Sequence, residues 1–162
     1  MDDRSSAGDR DEAAAREARA RYRRYGPEPL EPTDAARALL APGEVLLGIC
    51  RDVALELRRP GEGGLPVQRP AGDLYVTSER LIHASPEDWS VQLDEIDDAA
   101  VSRGRVLLVL HGGAGAALDT DEPRLVRATI ATARVARIER RFERRGESGS
   151  PRPGIEAQAN AR

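Results

Sequence analysis

Between Glu44 and Asp119 the apolar residues recur with a period of two, in short runs separated by turn residues. Val45, Leu47 and Ile49 alternate with Leu46, Gly48 and Cys50. Val53, Leu55 and Leu57 alternate with Ala54, Glu56 and Arg58, and Trp89, Val91 and Leu93 alternate with Ser90, Gln92 and Asp94. Runs this short cannot bury a face alone, so they must pair and close on one another. Strands do not alternate with helices here, which argues against a parallel doubly wound sheet. The spacing predicts about seven strands: 45–50, 53–57, 73–77, 80–84, 89–93, 99–102 and 106–110, with 116–119 as a short closing strand. Arg51-Asp52 is read as a turn or bulge, Pro60 to Gly72 as a loop, Ser78-Glu79 and Arg103-Gly104 as tight turns, and His111 to Gly115 as a glycine turn. Val106–Leu110 is apolar on both faces and reads as a covered central strand.

Helical patterns flank this region. Ala- and Arg-rich residues 11–25 favour helix, with Ala18, Tyr22 and Tyr25 as a narrow apolar stripe. Gly26-Pro27 ends it, and Thr33-Asp34 caps a short helix over Ala35–Leu40. A long helix is expected from Pro123 to Arg145, capped by Thr120 or Asp121 and stopped by Gly146. On its wheel Val126, Ile130 and Ala133, with Leu125 nearby, form one apolar side, suited to plugging an open sheet or barrel. Ala128, Ala131, Val135, Ile138 and Phe142 form a second, nearly opposite side. That second side needs another surface: the Tyr22/Tyr25 stripe, or another molecule. The organisation read from sequence is thus 1–10 disordered, 11–43 a helical extension and linker, 44–145 a domain with its capping helix, and 146–162 a disordered tail.

Charge is divided along the chain. Residues 44–123 carry seven Arg against fifteen acids, and residues 124–145 eight Arg against two, within a total of −3. Every basic residue is Arg. Arg127, Arg134, Arg137, Arg141 and Arg145 fall in one band of the terminal helix, a stripe able to meet phosphates or to be neutralised by the acidic domain beside it. The chain of 162 residues has no apolar run of 18 and no apolar stretch behind its charged amino terminus. A membrane-spanning helix and a secretory signal are therefore not expected, and the expected setting is the cytoplasm.

The segment Gly72-Asp73-Leu74-Tyr75-Val76-Thr77-Ser78-Glu79-Arg80-Leu81-Ile82 resembles the hairpin of bacterial pleckstrin-homology-like (PH-like) and GRAM-type domains. In that family the Thr and Arg stabilise the turn. Leu40-Ala41-Pro42-Gly43-Glu44-Val45-Leu46 resembles the approach to the family's first strand, and Trp89-Ser90-Val91-Gln92-Leu93-Asp94-Glu95-Ile96 its strand after the hairpin. The resemblance, covering about residues 40–140, implies an α+β, mainly β fold: a partly open antiparallel barrel capped by a C-terminal helix, with an N-terminal helical extension. It also implies binding or scaffolding rather than catalysis. The basic residues that hold phosphoinositides in some members are not matched, since Arg51 stands beside Asp52 and Arg58-Arg59 lie at the strand's far end.

Catalytic readings have little in the sequence to stand on. His111-Gly112-Gly113-Ala114-Gly115 resembles an oxyanion-hole turn, but no Gly-x-Ser-x-Gly elbow accompanies it. As a dinucleotide loop it lacks the third glycine, where Leu118 stands. His83 reads as a surface or half-buried strand residue, Cys50 as a small buried one, and Asp94, Glu95, Asp97 and Asp98 as a solvated acidic cluster. The leading expectation is a non-enzymatic module acting through protein contacts or self-association, with Tyr22, Tyr25, Val135, Ile138 and Phe142 as candidate interface. The first alternative is attachment to an anionic membrane surface through the arginine stripe; the second is a small hydrolase or cofactor enzyme using the HGGAG turn. No catalytic residue, cofactor or metal is assigned, and nucleic acid is not an expected partner.

Overall fold

The computed structural model describes residues 3–60 and 66–147. Seven strands form one antiparallel sheet: β1 (Leu46–Arg58), β2 (Val67–Thr77), β3 (Arg80–Ala84), β4 (Trp89–Gln92), β5 (Ile96–Ser102), β6 (Arg105–Leu110) and β7 (Gly115–Asp119). Their order is β4-β3-β2-β1-β7-β6-β5. The helices are α1 (Asp3–Tyr25), α2 (Asp34–Leu39) and α3 (Pro123–Glu147). β1 pairs with β2 and with β7, so it joins the two halves of the sheet. Val126, Ile130 and Ala133 of α3 complete the core begun by Leu55, Leu74, Leu81, Leu93, Val106 and Leu118. This is the helix-plugged antiparallel, mainly β architecture expected from the sequence. No helix among the described residues is long and apolar enough to cross a membrane.

Bulges set which residues face this core. The two runs 45–50 and 53–57 are one continuous strand, interrupted at Arg51-Asp52, where Asp52 adopts φ 54°. A second register shift lies between Leu46 and Gly48. It puts Leu46 and Ile49 together on the outer side, where α2 covers them with Tyr75 and Ile82, while Leu47 and Cys50 pack toward the main core. Strict alternation misses this, because one inserted residue reverses the phase. β2 starts at Val67, inside the expected loop. Over Val67–Gly72 it pairs only with β1, because β3 joins it from Asp73, so the missing N–H of Pro70 breaks no second ladder. β6 is central in pairing but covered on one face only: Leu107 and Val109 are exposed. Its two-residue turn from β5 has positive φ at both Arg103 and Gly104, the form that suits the sheet's twist.

Of the hairpin residues, Thr77 closes the turn, whereas the Arg80 guanidinium reaches outside it. Thr77 Oγ1 accepts from the N–H groups of Glu79 (3.1 Å) and Arg80 (2.9 Å), closing the turn. Arg80 donates to both oxygens of Glu44 (3.1 Å each) and to the Leu39 carbonyl (2.9 Å), tying the hairpin to the end of α2. Thr77 also donates to Glu44 (2.6 Å), and the Ala41 N–H donates to it at 2.8 Å. Burial alone would raise the Glu44 pKa, but Arg80, the Ala41 N–H and Thr77 together hold it below the usual glutamate value. Gly72 opens the motif for a steric reason: a Cβ there would overlap the Ala84 carbonyl group.

Gly72→Ala should destabilise the protein by about 2–3 kcal/mol in urea unfolding, because backbone must move to admit the methyl. Glu44→Gln should cost about 2–4 kcal/mol at neutral pH by leaving Arg80 unpaired. A depressed carboxylate stabilises the fold above its unfolded pKa and loses that contribution as pH falls. The gap between wild type and variant should therefore close as pH drops below about 4.3.

Candidate functional site

The helix pair α1 and α3 carries every residue singled out as a binding candidate. The two helices pack along one another. Asp11 of α1 sits at the start of α3, where its carboxylate accepts from the N–H groups of Arg124 (3.0 Å) and Leu125 (2.9 Å). Farther along, the Tyr22 hydroxyl donates to Glu139 Oε2 at 3.1 Å. The helices therefore run in the same direction. Ala15, Ala128 and Ala136 are buried, and small residues such as these let two helix backbones approach closely. Burial, then the Glu139 carboxylate, pushes the Tyr22 pKa up to about 12.

This docking corrects three expectations. The first helix begins at Asp3, so residues 3–10 are helical rather than disordered. Its buried stripe starts earlier than Ala18, running Asp11, Ala15, Ala18, Tyr22 at i, i+4, i+7 and i+11, while Tyr25 leaves the stripe and is 68% exposed. The N-terminal N–H groups of α3 are capped by Asp11, more than a hundred residues away in sequence; Thr120 only accepts from the Glu122 N–H at 3.3 Å. A charged residue opening an apolar stripe was the legible signal for this role. At the other end α3 continues through Gly146 to Glu147, and residues 148–162 of the expected tail lie outside the described residues.

The arginine stripe turns toward the barrel. Arg127 Nε donates to the Ala99 carbonyl (2.8 Å), and an Arg134 Nη donates to that of Asp97 (3.2 Å). Both carbonyls belong to β5, the edge strand, so guanidinium groups occupy part of an edge that could otherwise pair with another strand. Arg137 grips Asp94 with two hydrogen bonds, 2.8 and 3.0 Å, and also pairs with Glu79. Arg141 reaches Asp94 at 3.0 Å, and Arg140 donates to the Ser78 carbonyl at 2.7 Å. Burial, then the neighbouring arginines 141, 140 and 144, lowers the Arg137 pKa. The side chain of Arg145 lies outside the described residues. Of the acidic cluster, Asp94 is thus an internal counter-ion for α3.

One side of α3 left exposed by the described residues is apolar. Val135 (44% exposed), Ile138 (50%) and Phe142 (68%) line the free side of α3, with Ala131 also exposed, and Tyr25 projects from the end of α1. The Arg24 guanidinium lies over the Tyr25 ring, 5.2 Å from its centre.

The other candidates have structural roles. Gly112 and Gly113 have φ of 75° and 82°, which the turn between β6 and β7 requires. His111 beside them pairs with Asp97 on the surface at 2.8 Å. His83 is fully buried rather than surface or half-buried, with Nε2 2.7 Å from the Val53 carbonyl. Cys50 Sγ lies 3.0 Å from Thr120 Oγ1, and burial, with the nearby carboxylates of Glu122 and Asp121, raises its pKa and disfavours the thiolate. Glu56, which sequence reading passed over, fills both oxygens with Arg58, Gln68 and Arg105. It rivets β1 to β2 and β6, and its pKa is lowered by Gln68 first and then Arg58. Among the described residues no three His, Cys, Asp or Glu side chains are grouped to hold a metal ion.

No protein-family model matches the chain, and no curated protein matches it. Among solved structures, the N-terminal PH domain of human ARAP2 aligns with a TM-score of 0.35 and 12% identity, over 68% of this chain and 94% of that one. The fold stated above rests on strand order, register and the plugging helix.

Asp11→Ala should cost about 1–2 kcal/mol, the worth of a charged helix cap. Limited trypsin digestion should then cut at Arg16 to Arg24 well before the barrel is attacked; unchanged cleavage would show that Asp11 does not fasten α1.

Proposed function

We propose that this chain is a non-enzymatic, PH-like binding module of the GRAM-related kind, acting through protein contacts made by the α1–α3 pair. One observation carries the proposal. After the barrel, α1 and the internal ion pairs have taken their shares of α3, an apolar side of Ala131, Val135, Ile138 and Phe142 remains uncovered by the described residues, beside exposed Tyr25. Grouped exposed apolar side chains of this kind mark contact surfaces. Attachment to an anionic membrane has weaker support, because Arg127, Arg134, Arg137 and Arg141 are directed to carbonyls and carboxylates of the barrel itself. A hydrolase or cofactor role for the HGGAG turn has weaker support: among the described residues His111 pairs with Asp97, and Gly112 and Gly113 supply the positive φ of the turn.

A photoreactive phenylalanine analogue at position 142, irradiated in cells of the source organism, tests this reading. Covalent adducts to protein are expected. Adducts to lipid alone, or none, would contradict it, as would low-salt sedimentation of the chain with phosphatidylserine vesicles that Arg134→Glu abolishes.

A further inference from the structure

We infer that the partner of the exposed α3 face is a second copy of this chain, docked with the two α3 helices parallel. The inference rests on the reading just given and names the occupant of the same surface. Ala131, Val135, Ile138 and Phe142 are spaced by four, three and four residues, the spacing of a coiled-coil seam. With Val135 and Phe142 at a, and Ala131 and Ile138 at d, Arg134 and Arg141 occupy g and Glu139 occupies e. In a parallel pair the g residue of one helix meets the following e residue of the other, so Arg134 and Glu139 face one another across the copies, twice by symmetry. Arg134 gives one N–H to the Asp97 carbonyl, and Glu139 accepts from Tyr22 on Oε2, which leaves guanidinium donors and a carboxylate oxygen for that contact. In an antiparallel pair Arg would meet Arg and Glu would meet Glu. The charge pattern therefore selects the parallel arrangement.

The rest of the structure leaves room for it. At 100° per residue the seam is centred roughly 140° around α3 from the Val126–Ile130–Ala133 face, so two barrels would point away from one another. α1 lies on the e side, as the contact between Tyr22 and Glu139 shows. Because α1 and α3 run in the same direction, three residues beyond that contact bring Tyr25 level with Phe142. Tyr25 therefore extends the seam at its end. Arg124 and Arg145 stand at the neighbouring d positions, limiting the apolar run to two heptads. Two aromatic rings two-thirds exposed and two β-branched side chains half exposed offer on the order of 400 Å² per copy, about half a standard partner footprint. The Arg and Glu rim supplies the remainder, and the expected complex is a reversible dimer.

Sedimentation equilibrium of the full chain across a wide concentration range tests this directly. A reversible monomer–dimer equilibrium is expected. Ile138→Asp should weaken it by roughly tenfold or more without lowering the thermal midpoint of the monomer, since the residue is half exposed. Glu139→Arg should weaken it too, and the double charge swap Arg134→Glu/Glu139→Arg should restore it. A single-chain mass throughout, a dimer indifferent to Ile138→Asp, or a swap that fails to restore association would overturn the inference. If the chain is monomeric while position 142 still forms protein adducts in cells, the second copy is ruled out and the broader binding role stands; if the adducts are also absent, both fail.

Discussion

One helix holds this molecule together, because α3 is asked to satisfy different neighbours around its circumference. Val126, Ile130 and Ala133 complete the core that both halves of the sheet contribute to. Each fully buried aliphatic side chain there contributes about 1.5–3 kcal/mol. The adjacent arginine band meets the β5 carbonyls and Asp94, and the far flank receives α1. Among the described residues the fourth side, through Val135, Ile138 and Phe142, has no internal partner. The functional reading follows from that remainder.

The electrostatics follow the same division. An acidic barrel and a basic helix in one chain look, in sequence, like two surfaces awaiting two partners. In the fold they neutralise one another. Asp94 alone takes Arg137 and Arg141, and Asp11 supplies the negative charge that the α3 amino-terminal end attracts. A basic stripe opposite a compensating acidic segment in the same chain is thus a poor predictor of a phosphate-bearing ligand.

The sheet was largely legible in sequence because its faces differ. β3 and the 73–77 part of β2 coincide with the expected strands residue for residue, and the outward and inward residues alternate along β6. Legibility failed where a local rule was overridden from a distance. The shift between Leu46 and Gly48 reverses the phase of β1 without any composition signal. Val67–Gly72 carries loop residues yet forms strand, because its open edge tolerates Pro70. Residues 3–10 lack an apolar face of their own and form helix in a segment clipped to α3 by Asp11. At the candidate site the seam of α3 could be read from its spacing. The inward turn of the arginines depended on which face meets β5, and that is set by the plug rather than by the stripe.

The claim that α3 binds barrel and α1 into one unit is tested most directly by native-state hydrogen exchange of the full chain, followed by mass spectrometry. The account predicts that amides of Asp11–Tyr22 and of Val126–Glu139 are protected together with those of β1 and β2. Rapid exchange throughout α1 and the second half of α3, beneath a fully protected sheet, would contradict it.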